Sequence, residues 1–449
     1  MNFSLGIDLG TTSVKAALVD LARGTVVESQ SVETRAYRSY TSSVAEQDVA
    51  TIFAAVEQAV TALPLENRRR IQSIGVCGQM HGCVLWNRAA IRIDSKFKSD
   101  VTNLITWEDG RCDRTFLDSL PSQSSGRQVS SGYGCATLFW LKRRQSDWLE
   151  SYERSGTVQD LFVAWLCQID VPVMSYQNAT SWGYFDENQW EVDRLKEAGF
   201  PVHLLPSLAE PGTFAGRTAE QWCGIRAGLP VTAALGDLQC HVYSAIQMDS
   251  EAAAISIGTS AQLSYIDVEC GRLPLSSPVE SWPYFNRRHV IVAASLNGGN
   301  VLAKFVDMLR DWVSSMGLTA PTRDSIFESF RREGREAARA GSMKVNPRLF
   351  GERHCPRELA SITNVGPDDL SISSVFEAIC SGLIGNLESM VSRRQLTSAG
   401  IRRIVGCGKA LRENAVLQRA VEDCFGLPFV LRAESDAAHG AALISANSQ

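Results

Sequence analysis

Three short stretches of the chain carry residue types suited to phosphate and proton chemistry. The first is LGIDLGTTSVKAALVD, Leu5 to Asp20, which sets Asp8, Gly10, Thr11, Thr12, Ser13 and Lys15 between two apolar runs. Leu5, Ile7 and Leu9 alternate with Gly6, Asp8 and Gly10, the period of a strand, and a second strand follows from Val14. The segment predicts a β-hairpin whose Gly-opened tip points backbone N–H groups and hydroxyls one way, a donor set suited to phosphate oxygens. Lys15 adds a positive charge. Asp8 would repel phosphate directly, so its place makes sense if Mg²⁺ with its waters lies between them. An ordinary hairpin with a polar tip fits the same local pattern.

The second stretch, AAAISIGTSAQLSYID from Ala252 to Asp267, repeats the design with Gly258, Thr259 and Ser260 at the tip. Ser256 stands where Asp8 stands in the first copy, so only the first half carries the metal-side carboxylate. The two tips are more than half the chain apart, which implies two similar domains, each offering a Gly-Thr hairpin. The third stretch, TAALGDLQCHVYSAI, reads as strand, Gly-Asp turn and helix. There Asp237 reads as the cap of a helix, whose N-terminus would also keep the carboxylate ionised.

Bulk properties agree with a two-domain soluble protein. At 449 residues the chain exceeds what one core usually holds. Charged residues make up 21%, and a net charge of −5 offers no basic surplus for nucleic acid or an anionic membrane. Twelve cysteines without a CxxC pair read as buried, reduced thiols. No stretch reads as a signal peptide or membrane span, so the expected location is the cytoplasm. Neither a GxxxxGK[ST] loop nor a clean GxGxxG after a strand occurs.

Strands and helices alternate throughout, giving an α/β class. Val44–Leu63 has the apolar spacing of an amphipathic helix, and Ile91–Asn103 reads as a polar surface excursion. Beyond the helix that follows Gly298 and Gly299, helices are expected to dominate to about Met390. The closing ESDAAHGAALISA reads as a helix of small residues. The expected domains are 1–245 and 246–449, with no low-complexity linker between them.

DLGTTSVK, GQMHG, WEDGR, GDLQC, SIGTSA, SLNGGN and GCGKALREN occur in the order seen in the FGGY carbohydrate kinases, and the resemblance covers essentially the whole chain. It implies two ribonuclease H-like domains of the actin, Hsp70 and sugar-kinase superfamily, with an active-site cleft between them. It further implies transfer of the γ-phosphoryl group of ATP, with Mg²⁺, to the terminal hydroxyl of a ketose. Asp237 matches the family's catalytic base and Gln239 a residue that orients the sugar. Gln79, Met80 and His81 match one sugar loop; Trp107 and Asp109 match another, in which Arg111 alternatively fixes Asp109 by a bidentate pair. Asp160 and Asn178 are weaker candidates, and Trp140, Trp165 and Trp182 read as packing. Gly258, Thr259, Gly298, Gly299, Gly406, Gly408 and Asn414 match nucleotide contacts, although Cys407, Lys409 and Leu411 depart from the commonest pattern. The implied partners are a small sugar and ATP, with no nucleic acid or membrane; a homodimer is left open. A kinase of another ketose or polyol shares this chemistry. A nucleotide switch would need a protein-binding domain, and a non-catalytic regulator would be expected to lack Asp237 or to carry a DNA-binding extension.

Overall fold

Two glycines decide how the first sheet is covered. Strand β1 (Phe3–Leu9) pairs antiparallel with β2 (Ser13–Asp20), which pairs antiparallel with β3 (Val26–Glu33). On its other side β1 runs parallel to β4 (Ile71–Gly78), and beyond lie β5 (Phe214–Arg217), β6 (Pro230–Thr232) and β7 (Leu235–Gly236). A Cβ at Gly6 would stand 1.8 Å from the carbonyl oxygen of Ala438, and one at Gly75 1.9 Å from that of Ala441. The bare backbone at these positions lets the C-terminal small-residue helix lie directly on β1 and β4. The computed structural model describes residues 1–41, 43–92, 100–267, 277–333, 342–432 and 435–448, with backbone alone at 331–333.

The second sheet repeats the first. Its central strand β8 (Ala252–Ile257) pairs antiparallel with β9 (Ala261–Asp267) and parallel with β12 (Arg403–Cys407). Outside them, β10 (Glu280–Pro283) and β11 (His289–Ser295) lie on one flank and β13 (Phe429–Leu431) on the other. Ser256 opposite Cys407 matches Asp8 opposite Cys77, so the repeat holds residue by residue. The tips differ by one residue. Leu9 faces Val14, leaving Gly10, Thr11, Thr12 and Ser13 between them, whereas Ile257 faces Ala261, leaving Gly258, Thr259 and Ser260.

The helices that matter here are α1 (Val49–Thr61), α2 (Gly134–Arg144), α3 (Val158–Cys167), α4 (Tyr176–Trp182), α5 (Asp237–Ile246), α6 (Gly299–Ser315), α7 (Ile372–Met390), α8 (Ala415–Phe425) and α9 (Ala437–Asn447). Behind the first sheet, Phe53 of α1 meets Phe162 of α3 edge-on at 5.2 Å, and Trp222 meets Phe162 at 5.7 Å. In the second unit Phe330 stacks on Phe376 at 4.3 Å and on Phe305 at 6.0 Å. Each buried side chain of this size contributes about 1.5–3 kcal/mol.

The chain divides into two compact units: residues 1–244, 283–287 and 436–449, and residues 245–282 and 288–435. The division departs from a single cut after residue 245, because α9 packs on the first sheet although it follows the second in sequence. Two other expectations change. Val44–Gln47 is extended, with a strand at Ala45–Gln47, because Asp48 caps α1 by accepting from the amide of Thr51. Residues 342–371 hold the short paired strands Lys344–Asn346 and Ser361–Thr363 and one 3₁₀ turn, Pro367–Asp369, rather than α-helix. Of the expected excursion Ile91–Asn103, residues 93–99 lie outside the described residues.

Candidate functional site

In the first unit, the hairpin tip is held by its carbonyls. Thr34 donates through its amide to the carbonyl oxygen of Thr12 at 2.9 Å, and its hydroxyl lies 3.3 Å from the carbonyl oxygens of both Thr11 and Thr12. Gln47 Nε2 donates to the Thr11 carbonyl at 2.8 Å. Among the described residues, the amides of Gly10, Thr11 and Thr12 donate to no protein acceptor. The tip therefore presents donors while its acceptors are occupied, the arrangement an anion needs.

The loop after β4 meets this tip. Thr11 Oγ1 donates to Gln79 Oε1 at 3.4 Å and accepts from Trp107 Nε1 at 3.1 Å. Gln79 Nε2 donates in turn to Gln47 Oε1 at 3.1 Å. Gln79, Thr11 and Trp107 are thus one hydrogen-bonded group. Trp107 keeps 42% of its surface exposed, an apolar face open to a ligand.

His81 adopts a left-handed backbone conformation, φ 75°. Ser181 holds it twice, its hydroxyl accepting from the His81 amide at 3.2 Å and its carbonyl lying 2.9 Å from Nδ1. A carbonyl only accepts, so Nδ1 carries the proton and the neutral ring has its acceptor at Nε2. Tyr133 stacks on the ring at 4.4 Å and 16°. Met80 is buried against Gly236, where a Cβ would come within 2.9 Å of its sulfur.

Asp237 is the first residue of α5 and is half-buried, its carboxylate accepting from the Leu238 amide at 2.8 Å. Burial raises its pKa to about 6, partly offset by the backbone amides of Leu238 and of Asp237 itself. Asp237 thus sits at a helix head with its carboxyl held above the usual carboxylate range. Asp8 lies in the same electrostatic group. Burial first, then the charges of Asp237 and Asp436, raise it to about 8, while Lys15 and the Cys77 thiol at 3.8 Å pull the other way. Asp436 caps α9 by accepting from the amide of His439 and pairs with Lys15 at 3.9 Å. Such a cluster of hard carboxylates suits a hard divalent cation. Among the described residues no three His, Cys, Asp or Glu side chains are arranged to hold one, so further ligands would come from phosphate and water.

Several expected contacts take other places. Asp109 is buried with both oxygens engaged: Oδ1 accepts from the amide and Nε of Arg111, and Oδ2 from the Ala45 amide and the Arg111 fork. This is the bidentate alternative, and Arg111 also reaches Glu46 at 2.6 Å. Asp160 closes a capping box with Thr157 at the start of α3, and Asn178 Nδ2 donates to the Ala234 carbonyl at 3.1 Å. Gln239 Nε2 donates to the Pro283 carbonyl at 3.2 Å, leaving a buried Oε1 without a protein partner. Trp182 is wholly buried, and Trp140 lies under the Arg111 guanidinium.

In the second unit, Gly298 and Gly299 pack on the Gly258 tip. A Cβ at Gly298 would come 2.4 Å from the carbonyl carbon of Ser260, and one at Gly299 2.5 Å from the Gly258 carbonyl oxygen. The Gly299 amide donates to that oxygen at 2.8 Å and the Asn300 amide to the Thr259 carbonyl at 3.1 Å. Gly408, at φ 87°, begins the short helix Lys409–Glu413 beside Ile257. Gly406 and Asn414 instead serve packing and capping. A Cβ at Gly406 would strike the Phe429 ring, and Asn414 accepts from the amides of Val416 and Leu417 at the head of α8.

Thr34, Gln47, Ser181, Tyr133 and Asp436 are parts of this constellation that the sequence did not mark. Asp436 alone left a trace, an Asp ahead of an apolar small-residue run.

Residues 3–243 match the FGGY family of carbohydrate kinases, N-terminal domain. The chain belongs to this family: it is an ATP-dependent carbohydrate kinase with the two-domain fold of the actin, Hsp70 and sugar-kinase superfamily. It is 43% identical to the sedoheptulokinases of Mus musculus and Homo sapiens, over 98% of this chain and 96% of each of those proteins. The xylulose kinase of Rhodospirillum rubrum shares the fold, with a TM-score of 0.82 at 18% identity, covering 99% of this chain and 89% of that one. So does the Plasmodium falciparum glycerol kinase solved with ADP, with a TM-score of 0.78 at 16% identity, covering 100% of this chain and 90% of that one.

Proposed function

We propose that this kinase transfers the γ-phosphoryl group of ATP to the terminal hydroxyl of sedoheptulose, giving sedoheptulose 7-phosphate and ADP. The observation that carries the substrate is the 43% identity to two sedoheptulokinases across 98% of the chain. In the step, the sugar oxygen bonds to the γ-phosphorus, the bond from that phosphorus to the β-bridging oxygen breaks, and the hydroxyl proton passes to Asp237. The tip donors of Gly10, Thr11, Thr12 and Ser13, together with Lys15, take phosphate oxygens. Thr259, Gly258, Gly298, Gly299 and Gly408 supply further nucleotide contacts. Trp107, His81, Met80, Gln79 and Gln239 face the sugar, His81 accepting a hydroxyl at Nε2. Asp109 acts through Arg111.

Mg²⁺ belongs to the same reading, with Asp8 holding one of its waters. Bound there, the ion would neutralise charge on the phosphates. Location in the cytoplasm is also part of it, supported by cysteines that are free thiols wherever described. Among the described residues no helix is long and apolar enough to cross a membrane. The test is an ADP-release assay over sedoheptulose, xylulose, ribulose and glycerol. The highest kcat/KM is expected on sedoheptulose, and a clear preference for another acceptor would replace it as substrate.

A further inference from the structure

Glu352 accepts four hydrogen bonds, and no step above uses it. It is 1% exposed and follows Gly351, far in sequence from the Gly258 tip. Its Oε1 accepts from the Ser295 hydroxyl at 2.5 Å, Asn297 Nδ2 at 2.9 Å and Asn386 Nδ2 at 2.7 Å, and its Oε2 from the Leu296 amide at 3.0 Å. Burial pushes the carboxyl up, but these donors together outweigh it and hold it below the usual range.

Three of the four donors belong to one loop, the turn from β11 into α6. The loop is fastened elsewhere too. Asn297 accepts from the Phe350 amide at 3.1 Å and donates to the Gly351 carbonyl at 2.8 Å, and Asn300 bridges the Gly298 amide and the Leu296 carbonyl. Gly299 and Asn300 then bond the carbonyls of Gly258 and Thr259. An unbroken run of hydrogen bonds thus leads from Glu352 through residues 295–300 to the Gly258 tip. Asn386 extends it to α7, where Arg348 Nε donates to its Oδ1 at 2.9 Å.

We propose that Glu352 is a positioning residue for the nucleotide: it fixes the Ser295–Asn300 loop and, through it, the Gly258–Ser260 tip. This rests on the reading of that tip as a phosphate contact. A carboxylate suits the task because it accepts at both oxygens and donates at neither. Glutamine has the same shape, but one of its ends would set N–H groups against donors whichever way the amide turned.

The test measures steady-state kinetics for ATP and sedoheptulose, ADP affinity by calorimetry, and melting temperature for Glu352→Gln. Expected are a rise of roughly tenfold in the ATP KM and ADP Kd, with the sugar KM and kcat within about twofold. A fall in melting temperature or a uniform loss of activity without the nucleotide-specific rise would overturn the proposal. Should that variant not fold, Asn386→Ala keeps the carboxylate and removes one donor lying outside the loop; a nucleotide-specific rise of about threefold is expected, and none would overturn it. Gly299→Ala separates the proposal from the reading beneath it. If that variant raises the ATP KM while Glu352→Gln does not, only Glu352 loses its role. If Gly299→Ala leaves the ATP KM unchanged, the tip does not bind nucleotide and both fall.

Discussion

Gln47 binds the carbonyl oxygen of Thr11 through its Nε2 at 2.8 Å, and its own Oε1 accepts from Gln79. With Thr11 Oγ1 donating back to Gln79, the three residues close a ring that joins the hairpin tip to the loop after β4. Gln47 is fully buried, so water cannot replace it. Gln47→Leu would leave the Gln79 amide unpaired and the Thr11 carbonyl with the Thr34 hydroxyl alone, at about 1–3 kcal/mol. The expected outcome is a higher KM for both ATP and sugar and a kcat/KM lower by about tenfold or more. Wild-type kinetics in this variant would mean that the ring positions nothing used in turnover.

Asp237→Asn keeps the shape of the helix head and removes the proton acceptor. A general base contributes about 10²–10⁴-fold, so kcat should fall by that order while calorimetry still finds nucleotide and sugar binding. The wild-type enzyme should lose kcat/KM with unit slope as pH falls below about 6, because the carboxylate must be ionised to accept a proton. The residual activity of the Asn variant should lack that limb. Turnover near wild type would remove the base role.

Asp8 sets function against stability. Its pKa is about 8 in the folded protein, against a usual 3.8. Between those values the folded state holds a proton that the unfolded chain has released, so stability falls as pH rises through this window. Asp8→Asn removes that term. The variant should melt higher than wild type by a few °C at pH 8.5, with little difference near pH 4, while its kcat drops and its Mg²⁺ requirement rises. Equal melting temperatures at alkaline pH would show that Asp8 is not held under this strain.

The parts legible in the sequence were those written in local patterns. Period-2 alternation around Gly-Thr marked both hairpins, and a Gly-Asp step after an apolar strand marked Asp237. What escaped depends on distant partners. Val44 and Ala45 share the apolar spacing of the helix behind them, and only the capping bond of Asp48 separates strand from helix. Nothing local at Gly6 or Gly75 indicates that a helix more than 350 residues away will lie on them. Thr34, Gln47 and Glu352 are single polar residues whose roles come entirely from folded neighbours.

Asp109 and His81 separate scaffold from contact. The Asp109 side chain is inaccessible, and the Arg111 guanidinium paired with it is 12% exposed. Removing Asp109 leaves the Arg111 guanidinium with Glu46 alone and the buried Ala45 amide without its acceptor, at about 1–3 kcal/mol. Asp109→Ala should therefore lower the melting temperature by several °C as well as weaken sugar binding. His81→Ala removes a half-buried ring that lies beside Tyr133 and leaves a Cβ in the same left-handed backbone. It should raise the sugar KM with a much smaller loss of stability and leave the ATP KM nearly unchanged. Thermal melts and two-substrate kinetics on the pair check this. Equal melting losses, or an ATP KM that rises with the sugar KM in His81→Ala, would dissolve the distinction.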